Sequence, residues 1–534
     1  MFPWKHFRPP RKARLRVPIN TPCSPTHIRL LSAGGPKQPG TKAPRKRLPD
    51  KINYNADTFT DMNDVDHANF KRVTSNDLAS YTEPPTEVKM LVRDFIEDSL
   101  YNPHYGYFPK QVNIFTATET IDFASLRNTV QFQDEVARRY AGYGLDETGP
   151  GRQIWHTPTE LFKPWYGRAI AQCLVSEYLL KYFPYEDFSI YEIGGGNGTL
   201  ARDILDYIQE EYPDVYDRTR YNIIEISENL ANLQREKLCS KHPCVTVTNQ
   251  SIFHWEKVEP APSYFLAMEV IDNFAHDMIR YDLRTLEPYQ GVVVVDGNGD
   301  YSTLYARVTD PLISSFLSLR RRLSHSPSIP RLLRSSSTLR NIYTSLPFAP
   351  NLSPPEFIPT RLLSLLRTLR KYFPRHRLLL SDFSSLPDTI PGVNAPVVQT
   401  RYQNTTVPCT TLFVKPGYFD IFFPTNFEHL RDMYEDILSQ PVSLADTSPR
   451  ASPLAGGASP LSVGAGFFSS YHPKNRRTPT DGIASSSGLP VGERKSNVFT
   501  HAEFMEAYAD LAKTRLRNGE NPMVDYYKNV KFLF

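Results

Sequence analysis

The sequence has no apolar run approaching the roughly 20 residues that a helical membrane span requires, so the expected protein is soluble or peripheral. Cysteine is scarce: Cys23, Cys173, Cys239, Cys244 and Cys409 are five among 534 residues, odd in number and without a C-x-x-C pair. No disulfide framework or structural zinc site is indicated; reduced thiols are the simpler reading of Cys239 and Cys244, metal ligands the alternative. Acidic residues are missing altogether from positions 1–49, which hold twelve Lys and Arg. The rest of the chain carries 49 basic against 57 acidic residues, so a formal charge of +4 hides a net −8 beyond the N-terminal stretch. Proline, by contrast, is plentiful at 46 residues, which implies that a good part of the chain does not pack.

An Arg-rich, acid-free start has the composition of a mitochondrial targeting segment, which import machinery draws toward a negative interior. The sequence RLLSAGG, Arg29 to Gly35, offers a processing point near Leu31–Ser32. The competing reading is a basic tail for nucleic acid. It lacks glycine–arginine repeats and a stacking platform, and the mild acidity of the remaining chain argues against a broad nucleic-acid footprint, so no nucleic-acid partner is expected.

Glycine is concentrated where it matters. Residues Tyr191 to Leu205, YEIGGGNGTLARDIL, run from a strand through glycines at 194, 196 and 198 into an amphipathic helix with Leu200, Ile204 and Ile208 on one face. Such a loop lets the backbone turn sharply and approach a ligand, and the following helix N-terminus favours an anionic group. A dinucleotide fingerprint would need a further glycine at 199, where the chain has Thr199. Read from Glu192, the pattern is E-x-G-x-G-x-G, which resembles the first motif of S-adenosylmethionine-dependent methyltransferases. By that resemblance the loop cradles the methionine part of the cofactor and an acid ending the next strand binds the ribose hydroxyls. Glu225, in YNIIEIS, occupies that place.

Hydrophobic spacing predicts a helix from about Thr86 over Val88, Leu91, Val92, Phe95 and Ile96, stopped before Asn102-Pro103. It predicts another over Thr360 to Tyr372, with Leu362, Leu363, Leu365, Leu366 and Leu369, inside a stretch 311–377 whose single acid is Glu356. A basic amphipathic helix can lie on an anionic membrane, giving a peripheral inner-membrane contact; the alternative is that its leucines pack on a neighbour. Residues 441–497 are rich in Ser, Pro and Gly and are expected to be disordered. A last helix is predicted through FTHAEFMEAYADLAKTRLRNG, ending at Gly519.

Several segments fall in one order that is similar to a single family. They are NPHYGYF after the first helix; HTPTELFKPWYG, with Thr157, Pro158, Glu160 and Gly167; FLAMEVIDNF, with Glu269 and Asp272; PPEFIPT, with Glu356 and Pro359; LLLSDFS; KPGYFDIFFPTNF, with Pro416, Gly417, Asp420, Ile421 and Phe427; and VFTHAEFM. Together they resemble the MidA-like family, the mitochondrial complex I assembly methyltransferases and their bacterial relatives. The departures are Asp382-Phe383-Ser384 in place of D-Y-G, Asn426 in place of an aspartate, and no histidine after Thr400-Arg401.

The resemblance implies an α/β fold, a class I (Rossmann-like) methyltransferase sheet with an N-terminal lobe and a helical insertion. It implies S-adenosyl-L-methionine as cofactor, bound by Glu192, Gly194, Gly196, Gly198 and Glu225, with no metal. The acceptor it implies is an arginine of a mitochondrial protein such as a complex I subunit, in the matrix. Residues after the strand Tyr264 to Ala267 should face that acceptor. Glu269 and Asp272 are the candidate catalytic pair because a guanidinium forks onto carboxylates, Asn273 lies beside them, and capping of a following helix is the alternative. His276 could serve as a base or be structural; Tyr105 and Tyr107 could close over the cofactor or pack in the lobe. A scaffold protein that keeps only the fold, or a small-molecule methyltransferase, remains a separate reading. The expected organisation is a targeting segment at 1–49, a linker at 50–80, the lobe at 81–185 and the cofactor-binding core at 186–438 with its insertion near 311–377. A disordered segment at 439–497 and a C-terminal helical segment at 498–534 complete it.

Overall fold

Phe188–Ile193 (β1), FSIYEI, is buried along its whole length and forms the middle of a seven-stranded sheet in this computed structural model. The structure describes residues 69–111, 113–114, 120–141, 154–155, 157–402, 405–439 and 496–534. All belong to the second of two compact units, Thr60–Phe534. The expected targeting segment, and the disordered segment apart from its ends, lie outside the described residues.

The other strands of this sheet are Thr219–Glu225 (β2), Val245–Asn249 (β3), Ser263–Met268 (β4), His376–Phe383 (β5), Val498–Thr500 (β6) and Val530–Leu533 (β7). Their order is β6-β7-β5-β4-β1-β2-β3, with β1 to β5 parallel, β7 antiparallel to β5 and β6 antiparallel to β7. Parallel strands covered on both faces read as near-continuous apolar runs, as β1 and β4 do. Successive side chains alternate between two cores: Ile190, Tyr264 and Leu266 face one, Tyr191, Phe265 and Ala267 the other. The helices Trp165–Lys181 (α1), Thr199–Glu211 (α2) and Glu228–Leu238 (α3) contribute to the first core. Thr360–Tyr372 (α4) and Phe427–Ser439 (α5) contribute to the second. The molecule is therefore a mixed α/β protein.

Three expectations are corrected here, and for helix α4 the packing alternative holds. The helix read from Thr86 begins at Val92, because Val88–Leu91 is a strand paired antiparallel with Val292–Val295. That strand belongs to a second sheet of six, in which Pro288–Val295 is central and Asp277–Tyr281, Tyr301–Arg307 and Glu356–Ile358 join it. Residues 69–80, read as linker, add the strand Lys71–Arg72 to it and bury Leu78. Helix α4 does form over Thr360–Tyr372, but its five leucines are buried in the second core, so they are not free to meet a membrane. The C-terminal segment is not mainly helical: it supplies β6 and β7, and its helix ends at Tyr508, well before Gly519. Among the described residues no helix is long and apolar enough to cross a membrane.

The NPHYGYF segment is a joint. Tyr105 donates its hydroxyl to the Asp98 carboxylate at 2.6 and 2.8 Å, and Tyr107 is fully buried in a third core with Met278, Val293 and Phe423. Gly417 meets this segment with φ +83°, and a Cβ on it would lie 1.8 Å from the Tyr105 carbonyl oxygen. Replacing Gly417 with valine therefore forces both a strained φ and a backbone collision. Chemical denaturation of this variant is expected to show a loss of about 2–4 kcal/mol; a loss below about 0.5 kcal/mol would contradict the contact.

Candidate active site at the carboxyl ends of the strands

Two turns, one after β1 and one after β4, meet at the edge of the parallel strands. In the first, Gly194, Gly196 and Gly198 take φ of +69°, +53° and +76°, values that side chains resist. Gly195 has no space either, since a Cβ there would stand 2.8 Å from Ile223. Thr199, the first residue of α2, donates its hydroxyl to Glu160 at 2.6 Å, and Glu160 also pairs with Lys163 at 3.1 Å. This buried triplet anchors the loop to the HTPTELFK segment. Gly167 in that segment lets α1 approach α2, where a Cβ would meet that of Asp203 at 2.6 Å.

Glu192 is buried and accepts a hydrogen bond from the Tyr221 hydroxyl at 2.8 Å. Burial pushes its pKa up to about 7. Glu225, ending β2, accepts from the Ser227 backbone N–H at 3.0 Å and from Gln234 Nε2 at 3.1 Å. Gln234 Nε2 also donates to the Gly196 carbonyl at 2.7 Å, so one amide on α3 ties the loop to the acid. The backbone N–H groups of Ile226 and Gly196 also face this carboxylate, so the acid is held at the rim of the loop by four donors. Left-handed glycines, absent Cβ atoms and a buried acid at the end of the second strand fit the methionyl and ribose parts of S-adenosylmethionine.

The second turn is acidic. Glu269 sits at φ +55°, an uncommon conformation for a non-glycine residue, with its N–H bonded to the Ser381 carbonyl. A Cβ on Gly194 would stand 3.2 Å from Val270, so the glycine loop and this turn abut. Asp382, at the end of β5, accepts from the N–H groups of Ile271 and Asp272 at 3.0 and 3.1 Å. Asn273 donates to Asp420 Oδ1 and the Ile421 carbonyl, both at 3.0 Å.

Three buried carboxylate oxygens here have no hydrogen-bond partner: Glu269 Oε1, Asp272 Oδ1 and Asp420 Oδ2. Burial, then the charge of Asp272, raises the Glu269 pKa to about 8, and burial raises Asp272 to about 7. Asp382 and Asp420 are pushed well above the usual carboxylate range, first by burial and then by the Asp272 charge. Beside β5 a cleft of ≈ 340 Å³ opens between Ser384, Thr389, Asn394, Thr425, Glu428 and Lys531.

All seven residues singled out from the sequence lie in these two turns and the adjoining strand ends. His276 does not act with them: its ring stacks on Phe423 at 3.9 Å, it bonds the Phe274 carbonyl, and burial lowers its pKa to about 4. Sequence reasoning missed Gln234, which carries no signal of its own. It also passed over Asp382 and Asp420 as site residues, although both stand in segments that carried the family resemblance.

The sequence profile described as "Putative S-adenosyl-L-methionine-dependent methyltransferase" matches residues 169–443, just over half of the chain. The chain belongs to this methyltransferase family. S-adenosylmethionine is accordingly its cofactor. A relative from Schizosaccharomyces pombe, the mitochondrial protein arginine methyltransferase NDUFAF7 homolog, is 26% identical over 328 residues, 58% of this chain and 67% of its own. A crystal structure from Burkholderia thailandensis with bound S-adenosyl-homocysteine overlaps with a TM-score of 0.41 at 14% identity. That overlap covers 68% of this chain and 74% of the other.

The raised acids of this methyltransferase set a pH dependence. They hold protons in the fold that the unfolded chain has already released near pH 4, so the native state binds more protons and stability falls as pH rises. With ordinary values of 4.5, 3.8 and 4.5 raised to about 7, 7 and 8 for Glu192, Asp272 and Glu269, the loss begins near pH 4 and is complete near pH 8. The melting temperature of the ligand-free protein is expected to drop by roughly 2–4 °C or more across that window. Asp272→Asn should flatten the decline, and a rise in stability toward pH 8 would contradict the assignment.

Proposed function

We propose that the chain transfers the methyl group of S-adenosylmethionine to a guanidinium nitrogen of an arginine in a mitochondrial protein, such as a complex I subunit. The carrying observation is the set of unpartnered buried carboxylate oxygens on Glu269, Asp272 and Asp420, beside a glycine loop suited to the cofactor. A guanidinium offers five N–H donors in a planar fork and is always charged, which answers that deficit as no neutral acceptor does. The fission-yeast relative's description as a mitochondrial protein arginine methyltransferase supports the same reading, as does the acid-free stretch at 1–49. The strand order, five parallel strands extended by an antiparallel pair, favours the class I (Rossmann-like) arrangement for the 186–438 core together with the 498–534 segment.

Gly194, Gly196 and Gly198 would hold the methionyl part of the cofactor, Glu225 the ribose, and Glu192 would support the loop through Tyr221. The cofactor supplies an electrophilic methyl group on a sulfonium, so the protein's task is to place the acceptor in line. Such positioning contributes roughly 7–11 kcal/mol in favourable cases. Glu269 and Asp272 would accept the guanidinium N–H groups and draw charge away from the reacting nitrogen; as its bond to the methyl group forms and the sulfonium bond breaks, that nitrogen would lose a proton to one of these carboxylates. Protonated in the empty site, they ionise as the cation enters, because an opposite charge within reach favours the charged form. Asp382 acts through them by fixing the turn on which they stand.

Calorimetry with S-adenosylmethionine is expected to show binding by the unmodified chain and none by Gly196→Arg. Transfer to arginine-containing mitochondrial polypeptides should fall about 100-fold in Glu269→Gln with cofactor affinity kept. Cofactor binding without any arginine methylation would overturn the acceptor and leave a scaffold role. Failure of the unmodified chain to bind would overturn the enzyme reading itself.

A further inference from the structure

Between the strands Tyr301–Arg307 and Glu356–Ile358 of the second sheet the chain makes two short helices, Arg331–Ser335 and Ser337–Ser345, in which no residue is fully buried. One side of this pair does pack: Leu333 and Tyr343 lie against the second core, and Arg340 donates to the carbonyls of Leu333 and Arg284. The opposite side is apolar and open. Leu339, Ile342 and Leu346, at helical spacing, are 41%, 54% and 53% exposed, with Leu332 at 70% and Phe348 at 99%. Phe348 also sits at φ +66°, which puts an aromatic ring on a tight turn in water.

The charge along the segment that carries this face has one sign. From Pro311 to Pro355 there is no acidic residue, while Arg320, Arg321, Arg322, Arg331, Arg334 and Arg340 are all present. Arg320 and Arg322 are paired with Glu356 and Asp436, but Arg321, Arg331 and Arg334 have no ion pair among the described residues. The adjoining turn brings in Asp282, whose carboxylate accepts from the N–H groups of Arg284 and Thr285, and Glu287.

We propose that residues 331–348 form a docking face for an anionic lipid bilayer, with Leu339, Ile342, Leu346 and Phe348 entering the interface and Arg331 and Arg334 among the headgroups. Protruding aliphatic side chains with an aromatic at the tip, flanked by arginine, are the composition of interfacial helices. Charge complementarity selects the anionic surface, since each arginine there strengthens attachment by about fivefold. The leucines of α4 are buried; the open face belongs to the segment before it.

Vesicles of phosphatidylcholine with and without phosphatidylglycerol test this on the full chain. Co-sedimentation is expected with the anionic vesicles only, and release by high salt. Ile342→Ser combined with Phe348→Ser should weaken it by about tenfold. Arg331→Ala should weaken it about fivefold, with thermal melting unchanged because the side chain is exposed. The cations of 1–49 offer a second route to lipid, so location is read from Phe348→Trp, whose added emission should shift to the blue on anionic vesicles. Sedimentation with no such shift, or with the apolar variants binding as the unmodified chain does, overturns the proposal. So does absence of lipid binding alongside capture of an acidic protein that these variants lose.

Discussion

The active-site region depends on one carboxylate. Asp382, near the end of β5, has no ion pair among the described residues, and its oxygens accept from the backbone N–H groups of Ile271, Asp272 and its own neighbour Phe383. Hydrogen bonds to a buried carboxylate make up part of the solvation it has lost, and here they also bend the chain after β4 into the turn that carries Glu269 and Asp272. From the same turn, Asp272 offers its carbonyl to the Phe423 N–H at 2.8 Å, which ties in the segment after Gly417. A single side chain thus couples adjacent parallel strands to the loops that complete the site.

The acidic turn is an unfavourable arrangement when empty. Four carboxyls close enough to raise one another's pKa, with three oxygens unpartnered, disfavour the ionised form. The surroundings hold the turn rigid regardless: Asn273 is bonded to Asp420 and Ile421, and His276 is stacked on Phe423. A site that keeps such a geometry without its partner is preorganised, so the entering group need not spend interaction energy on building it. The glycine loop is preorganised by different means, through backbone torsions and the Gln234 amide.

The parts legible in the sequence were those dictated by the backbone. Gly194, Gly196 and Gly198 were readable because left-handed torsions leave few alternatives to glycine, and Glu225 because the methyltransferase resemblance places an acid at the end of the next strand. Helix α4 was readable to its end residues from leucine spacing. What the leucines faced was not, since periodicity gives a face and not its neighbour. Val88–Leu91 was misread because its apolar positions continue the period of the following helix, while its partner strand lies some two hundred residues away. The strands β6 and β7 were hidden for a similar reason: four residues or fewer pair with β5 or with each other across a long stretch of chain. Asp382 and Asp420 were visible as letters, and only the tertiary contacts give them work.

The late position of β6 and β7 has a consequence for how the molecule comes to be made. Strand β5 is paired on one side by β4, but its other side is closed only by residues beyond 497, after the whole of 440–495 has been synthesised. Domains generally acquire structure from the N-terminal side during synthesis, and an unpaired strand edge invites pairing with other chains. Until those last residues emerge, the growing polypeptide presents the apolar flank of β5, at the strand that carries Asp382. The active-site scaffold is therefore the final part of the sheet to be sealed, and the nascent chain is most prone to association before residues 498–533 have emerged.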